Sequence, residues 1–166
     1  MTAHTPVRMR RCFADAVHLA MRSDARVWVI AADLGYKMWD NIRAEFPDRF
    51  INTGAAEQAA VGLGIGLALE GRIPIVYSIT SFLLYRPFES IRNYVNRESI
   101  PVKLVGSGRG TDYLSDGFSH WAEEDKAVMD IFKNVCCRRP EHNSEIPALV
   151  EEMLATPKPY YVNLKK

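Results

Sequence analysis

The sequence predicts an α/β fold, a three-layer sandwich in which a mainly parallel sheet lies between two layers of helices. Short apolar runs of strand length alternate along the chain with stretches of helical periodicity, a pattern typical of parallel sheets. The 166 residues are 48% hydrophobic, which is enough for one compact core and too little for two ordinary domains. No repeat, low-complexity tract or linker-like stretch divides them. We therefore expect a single domain over residues 1–166.

The elements begin with a helix, after which strands and helices alternate. Apolar residues at helical spacing over residues 13–21 precede a continuous apolar run at 27–32, which indicates a helix followed by a buried strand. Further strands are predicted near residues 50–53, 73–79, 102–106, 134–138 and 160–164. Further helices are predicted near residues 56–70, 82–95, 123–132 and 145–154. Because parallel sheets bind ligands at the carboxyl ends of their strands, we expect the chemistry in the segments that follow these strands.

Charge balance and residue spacing exclude several classes of function. The 21 basic and 20 acidic residues leave a net charge of +1, so we expect no binding to nucleic acid or to anionic membranes. The longest apolar stretch, residues 59–69, is too short to cross a bilayer, and the basic start lacks a signal-peptide core. These features predict a cytoplasmic protein. The cysteines and histidines lack metal-ligand spacing, so we expect no metal site made by this chain alone. They are Cys12, Cys136, Cys137, His4, His18, His120 and His142.

The segment 50–71 reads as a strand, a turn and a helix, with Glu57 in the first turn of the helix. An acid there is often only a partner of the helix dipole. Gly62, Gly64 and Gly66 are more unusual, since each costs a helix interior about 1 kcal/mol relative to alanine. We expect a packing reason for them, such as the close approach of another helix. Their Gly-x-Gly-x-Gly register does not match the dinucleotide fingerprint.

The run from Phe50 to Asn93, which contains Ala56-Glu57-Gln58, resembles the pyrimidine-binding domain of transketolases. The similarity extends weakly to residues 31–34, to residues 116–120 and to the last strand, so it covers essentially the whole chain. The resemblance implies the fold that binds the aminopyrimidine ring of thiamine diphosphate.

The resemblance also implies roles for individual residues. Glu57 corresponds to the glutamate that hydrogen-bonds a ring nitrogen of the aminopyrimidine, which lets the cofactor's amino group deprotonate the thiazolium carbon. That chemistry needs a carboxyl able to share a proton near neutrality, as a desolvated cleft allows. Phe82, Tyr85 and Phe88 match the aromatic residues around the ring, and three-residue spacing places them on one helical face. Core packing is the alternative for this aromatic stripe, above all for Phe88.

Two further polar residues match family positions near the cofactor. Asp33 resembles an aspartate at the end of the first strand, although a turn or helix cap explains it equally well. His120, in Asp-Gly-Phe-Ser-His, matches the substrate histidine of D-G-P-T-H, with a surface loop histidine as the alternative. A second, upstream substrate histidine has no counterpart in residues 106–110. Arg109 in that stretch could serve an anionic substrate instead.

The family holds the diphosphate and Mg²⁺ on a separate domain with a G-D-G motif and a downstream asparagine. The only similar residues here are Ser115-Asp116-Gly117 with Asn143 beyond. Ser115 replaces the first glycine of the motif, and this segment aligns instead with the D-G-P-T-H loop. The resemblance therefore implies a larger partner subunit that holds both groups in an α2β2 heterotetramer, with this chain inactive alone. The sequence also ends before the carboxyl-terminal domain that normally follows in transketolases, which indicates a minimal split enzyme.

The resemblance predicts a transferase that moves a two-carbon ketol unit from a ketose donor to an aldehyde acceptor. A 2-oxoacid decarboxylase or acyloin synthase is the alternative, because it would bind the cofactor in the same way. A non-catalytic interaction remnant is the third hypothesis.

Overall fold

The computed structural model describes residues 8–166, so His4 and the start of the predicted 1–166 domain lie outside it. Six parallel strands form one sheet in the order β2-β1-β3-β4-β6-β5, which confirms the predicted fold class. The strands are β1 (Val27–Ala31), β2 (Phe50–Asn52), β3 (Ile73–Ile79), β4 (Lys103–Ser107), β5 (Cys136–Arg138) and β6 (Tyr160–Leu164). The order reverses at β1 and β3, which is where open parallel sheets bind ligands.

Helices cover both faces of the sheet. They are α1 (Met9–Ser23), α2 (Asp40–Glu45), α3 (Glu57–Leu69), α4 (Thr80–Tyr85), α5 (Phe88–Ser90), a π-helix (Ile91–Arg97), α6 (Asp125–Met129) and α7 (Ile146–Ala155). Phe13 of α1 and Met153 of α7 belong to one buried apolar cluster, whereas Val61 of α3 and Leu83 of α4 belong to another. Successive strand residues point to opposite faces, so the sheet separates two cores. No helix among residues 8–166 combines the length and the apolar composition needed to span a bilayer.

The inner and outer faces of α3 differ in what they contact. A Cβ on Gly64 would lie 2.8 Å from Val76 Cγ2, so this glycine lets the helix approach the sheet and not another helix. A Cβ on Gly62 or Gly66 would meet nothing within 4 Å. The outer face therefore carries small and apolar residues without a covering element in the described chain. These residues are Ala59, Gly62, Leu63, Gly66 and Leu69.

The predicted helix over residues 82–95 is instead three separate pieces. Helix α4 ends at Tyr85, α5 starts at Phe88, and the π-helix follows. Pro87 lies between the first two pieces, where its missing N–H and fixed ring interrupt the helical hydrogen-bond ladder. The predicted helix over 123–132 is shorter, at Asp125–Met129.

Candidate functional site

Glu57 is buried at the carboxyl end of the sheet. It is the first residue of α3 and follows β2 through a turn in which Gly54 has a φ of +69°, a conformation that glycine adopts without strain. Glu57 is only 2% exposed. The Ser78 hydroxyl, at the end of β3, donates a 2.8 Å hydrogen bond to Glu57 Oε1. One carboxylate oxygen is thus held by the fold.

The other carboxylate oxygen is bound by an arginine. Arg86 Nη1 donates to Glu57 Oε2 at 2.5 Å, and the guanidinium lies 4.0 Å from the centroid of the Phe82 ring. The Arg86 side chain is 46% exposed. This residue was not predicted from the sequence, because 29 positions separate it from Glu57 and no motif links the two.

His120 lies against the same phenylalanine. The Phe82 and His120 rings meet edge to face with centroids 4.8 Å apart, and the Tyr113 ring is 6.3 Å from the histidine. The loop that carries His120 is tied to α4 by the Ser81 hydroxyl, which donates to the Ser119 carbonyl at 2.7 Å. Phe82 therefore joins Glu57 and His120 into one group, through Arg86.

The other two predicted ring contacts have different partners: Tyr85 shares α4 with Phe82, whereas Phe88 lies beyond the break at Pro87. The Tyr85 hydroxyl donates to a carboxylate oxygen of Glu124 at 3.2 Å, and burial together with this acid raises the pKa of Tyr85 to about 12. Phe88 packs against Phe132, with ring centroids 5.3 Å apart, at the edge of the apolar core. The placement of Phe88 favours the core alternative.

Asp33 also lies apart from this group. It follows β1 with a left-handed φ of +50°, and its backbone N–H donates to Asn52 Oδ1 at 3.1 Å. The same amide oxygen accepts the N–H of Gly54 at 3.0 Å. Asp33 is exposed, so its geometry favours the turn that was its alternative explanation.

Arg109 is held by the protein itself. Its Nε donates to Asn163 Oδ1 at 2.7 Å, one terminal nitrogen to the Pro140 carbonyl at 2.6 Å, and the other to Glu141 at 2.9 Å. Its side chain is only 10% exposed. Four of its five N–H groups are thus engaged by the protein, which argues against a role of Arg109 in binding an anionic substrate.

A different arginine faces the open end of the sheet. Arg10 Nη1 contacts Ser107 Oγ at 3.4 Å and the Tyr113 hydroxyl at 3.3 Å, and Arg10 Nε is buried without a hydrogen-bond partner. It lines a cavity of about 450 Å³ with other cationic side chains. These are Arg8, Arg11, Lys37 and Lys166. This cluster was not predicted either, because its members come from three distant segments and the net charge is close to zero.

A second buried acid lies beside the site. Asp125 accepts hydrogen bonds from the Tyr161 hydroxyl at 2.9 Å and from Arg139 at 2.6 Å. Asn163 Nδ2 bonds the same hydroxyl and continues to Thr80 Oγ1, so the network ties β6 to α4. Among residues 8–166, no three His, Cys, Asp or Glu side chains form a group that could hold a metal ion.

Comparisons with known proteins identify the family and agree with the fold. Residues 5–166 match the family described as "Transketolase, pyrimidine binding domain". The chain is 30% identical over 159 residues to a "Putative transketolase C-terminal section" of Methanocaldococcus jannaschii, an alignment that covers 95% of this chain and 50% of that protein. It is 32% identical over 120 residues to a subunit of the apulose-4-phosphate transketolase of Actinobacillus succinogenes, with 72% and 39% covered.

The fold of the chain also resembles that of a solved structure. The "Split gene transketolase, inactive beta4 tetramer" superposes with a TM-score of 0.84 at 29% identity, over 96% of this chain and 51% of that one. The chain thus spans about half the length of the proteins it matches, or less.

Proposed function

Because the chain belongs to the family of transketolase pyrimidine-binding domains, we propose that it is the pyrimidine-binding subunit of a thiamine-diphosphate-dependent transketolase-like enzyme. The observation that carries the proposal is the buried Glu57 carboxylate beside the Phe82 ring. A carboxylate and an aromatic face at one edge of a sheet fit a flat heterocycle with ring nitrogens. When bound, the cofactor supplies the carbon that carries the transferred two-carbon unit.

The residues of this chain would then have different tasks. Glu57 hydrogen-bonds a ring nitrogen of the aminopyrimidine and shares a proton with it. Ser78 orients Glu57 through its bond to Oε1, and Phe82 packs against the ring. His120, next to Phe82, is suited to exchange protons with substrate hydroxyls. Glu57 and His120 are therefore the proposed catalytic residues. Asp33, Tyr85 and Phe88 remain predicted cofactor contacts, and each has a partner of its own in the chain.

The charge around the site supports an anionic substrate. Arg10 contacts Ser107 at the carboxyl end of β4, and the cavity that it lines with four other cations includes Tyr113, whose ring is 6.3 Å from His120. Arginine side chains are well matched to phosphate and carboxylate oxygens. We propose that the ketose donor or the aldehyde acceptor carries such a group.

A larger partner subunit would complete the enzyme. In the proposed assembly it holds the diphosphate and Mg²⁺, and the two kinds of subunit form a cytoplasmic α2β2 heterotetramer. The bare outer face of α3 supports a protein partner, because exposed contiguous apolar surface marks interaction sites. The names of the relatives, which mention subunits and a split gene, support it as well. Residues 1–166 would act as one pyrimidine-binding unit.

The proposal is tested by reconstitution with candidate large subunits that carry the diphosphate motif. We expect the mixture, and not this chain alone, to bind thiamine diphosphate and Mg²⁺ tightly in calorimetry and to turn over ketose phosphates. Glu57→Gln should lower turnover about 10²–10⁴-fold, the range for a lost acid–base group. Glu70→Gln, at the far end of the same helix, is the matched control. Unchanged turnover in Glu57→Gln would refute the catalytic role and leave an interaction module.

A second function is favoured by the glycines of residues 106–110. A Cβ on Gly106 would lie 2.5 Å from Thr80 Oγ1, and a Cβ on Gly108 would clash with the Tyr113 ring. No side chain fits at either position, so a second substrate histidine has no room at Gly106 or Gly108, and the sequence has none at 107, 109 or 110. A 2-oxoacid decarboxylase or acyloin synthase has no need of it. Release of CO₂ from 2-oxoacids by the reconstituted enzyme, without ketol transfer, would support this function.

A further inference from the structure

Arg86 occupies both groups that the proposed function assigns to the cofactor ring. It donates a hydrogen bond to the free carboxylate oxygen of Glu57, and its guanidinium lies over the face of Phe82. While Arg86 holds that oxygen, a ring nitrogen would have to share it with the guanidinium. The guanidinium likewise covers the face of the Phe82 ring on which the cofactor would pack.

The guanidinium and an aminopyrimidine share the features that this site selects. Both are flat conjugated nitrogen groups, both stack on aromatic rings, and both offer an N–H to a carboxylate when protonated. The guanidinium therefore satisfies the desolvated Glu57, which would otherwise lack a partner for one oxygen.

Arg86 is also partly exposed to solvent. Its side chain is 46% exposed, and Glu57 is the hydrogen-bond partner of its terminal nitrogen. Ser78 is fully buried and remains bonded to the other carboxylate oxygen. Movement of Arg86 into solvent would thus uncover Glu57 Oε2 and the face of Phe82, while Ser78 still holds Oε1.

We propose that Arg86 is a built-in competitor of the cofactor, which closes the pyrimidine site of the unassembled chain and is displaced when the aminopyrimidine ring binds. This inference rests on the proposed function, since it takes Glu57 and Phe82 as the ring's partners. The contact between Arg86 and Glu57 stabilises the empty site. Binding of the cofactor and the partner subunit must together supply the free energy that breaks this contact.

The test measures binding of 4-amino-5-hydroxymethyl-2-methylpyrimidine to the chain by ligand-detected NMR. Arg86→Met keeps the side-chain length and removes the competing donor. We expect it to bind this probe about tenfold more tightly than the wild type, equivalent to ~1.4 kcal/mol. Arg92→Met, which removes an exposed arginine bonded only to Asn93, should bind like the wild type. Equal or weaker binding by Arg86→Met would overturn the proposal.

A second readout follows Arg86 itself. In the wild type, saturation with the probe should shift the Arg86 Nε–Hε resonance towards that of the exposed Arg92. If the probe binds the wild type and not Glu57→Gln, but the Arg86 resonance does not move, Arg86 stays in place. That result would refute displacement of Arg86 and leave the proposed cofactor site standing. A third outcome is that no variant binds the probe, which means that the proposed cofactor site is wrong. The Arg86 proposal would then fail with it. In that case, a lower melting temperature in Arg86→Met that is restored in Glu57→Gln/Arg86→Met would show that the ion pair nevertheless exists.

Discussion

Glu57 and Asp125 are both buried carboxylates that accept one hydrogen bond from a buried hydroxyl and one from an arginine. They differ in whether the hydroxyl has a further hydrogen-bond partner. The Tyr161 hydroxyl that binds Asp125 is also bonded by Asn163, whose amide reaches Thr80. The Ser78 hydroxyl binds Glu57 alone, and the arginine of that pair lies over Phe82 at the open edge of the sheet. The same pairing thus locks two elements together at Asp125 and leaves a replaceable partner at Glu57.

The largest expected effect is on stability at Asp125. Asp125→Ala would leave Arg139 and the buried Tyr161 hydroxyl without their acceptor, and loss of one member of a buried ion pair costs about 3–5 kcal/mol. We expect about 3 kcal/mol in urea unfolding, because the Arg139 side chain is 36% exposed. Asp130→Ala, just after the same helix, should change stability by less than about 0.5 kcal/mol. Equal effects of the two substitutions would mean that Asp125 does not lock the fold.

Removal of the Tyr161 hydroxyl, which binds Asp125, and of the Ser78 hydroxyl, which binds Glu57, compares the two carboxylates directly. Tyr161→Phe interrupts the path from Asp125 to Asn163 and should cost about 2 kcal/mol, because two buried polar groups lose a partner. Thermal unfolding of the chain measures it. Tyr85→Phe is the control, since its hydroxyl bonds Glu124 at a half-exposed position and should contribute much less.

Ser78→Ala should cost only about 1 kcal/mol of stability, the net value of one hydrogen bond. It would, however, free the Glu57 carboxylate to rotate, so we expect about tenfold lower turnover in the reconstituted enzyme. A Ser78→Thr variant, which keeps the hydroxyl, should recover part of that loss. If Ser78→Ala instead destabilised the chain as much as Tyr161→Phe, Glu57 would belong to a network like that of Asp125.

The smallest effect belongs to a third pair, on the surface. Two hydrogen bonds from Arg22, with a further one from His18, hold the pKa of Glu45 at about 2. Because this pKa lies below the ordinary 4.5, the contribution to stability is present above pH 4.5 and is lost as the pH falls through about 2. In a carboxyl NMR titration, Arg22→Gln should move the Glu45 midpoint upwards, whereas Arg97→Gln should not. A wild-type midpoint near 4.5 would contradict this pairing.

The parallel sheet, its helices and the position of Glu57 could be predicted from the sequence because they follow from local patterns. The apolar runs indicate strands, and the A-E-Q segment after β2 places an acid at the ligand edge. The break at Pro87 was also readable in principle, but the spacing of Phe82, Tyr85 and Phe88 suggested one continuous helical face. A local proline effect therefore outweighed a periodic pattern.

Contacts between distant segments could not be predicted in the same way. Arg86 reaches Glu57 across 29 positions, Arg10 reaches Ser107 across 97, and Arg109 reaches Asn163 across 54. Each depends on which strands become neighbours in the sheet, and no spacing in the chain encodes that. The sequence accordingly indicated Arg109, which is bound by its own protein, and left Arg10 and Arg86 unnoticed.

The outer face of α3 has a consequence for the life of the protein in a cell. Leu69 is 69% exposed and Leu63 36% exposed, beside the bare backbone of Gly62 and Gly66. Such a surface favours aggregation when nothing covers it. If the proposed partner covers this face, a cell that makes more of this chain than of that partner would accumulate molecules that chaperones and proteases must remove. Balanced synthesis of this chain and the proposed partner would then limit its aggregation.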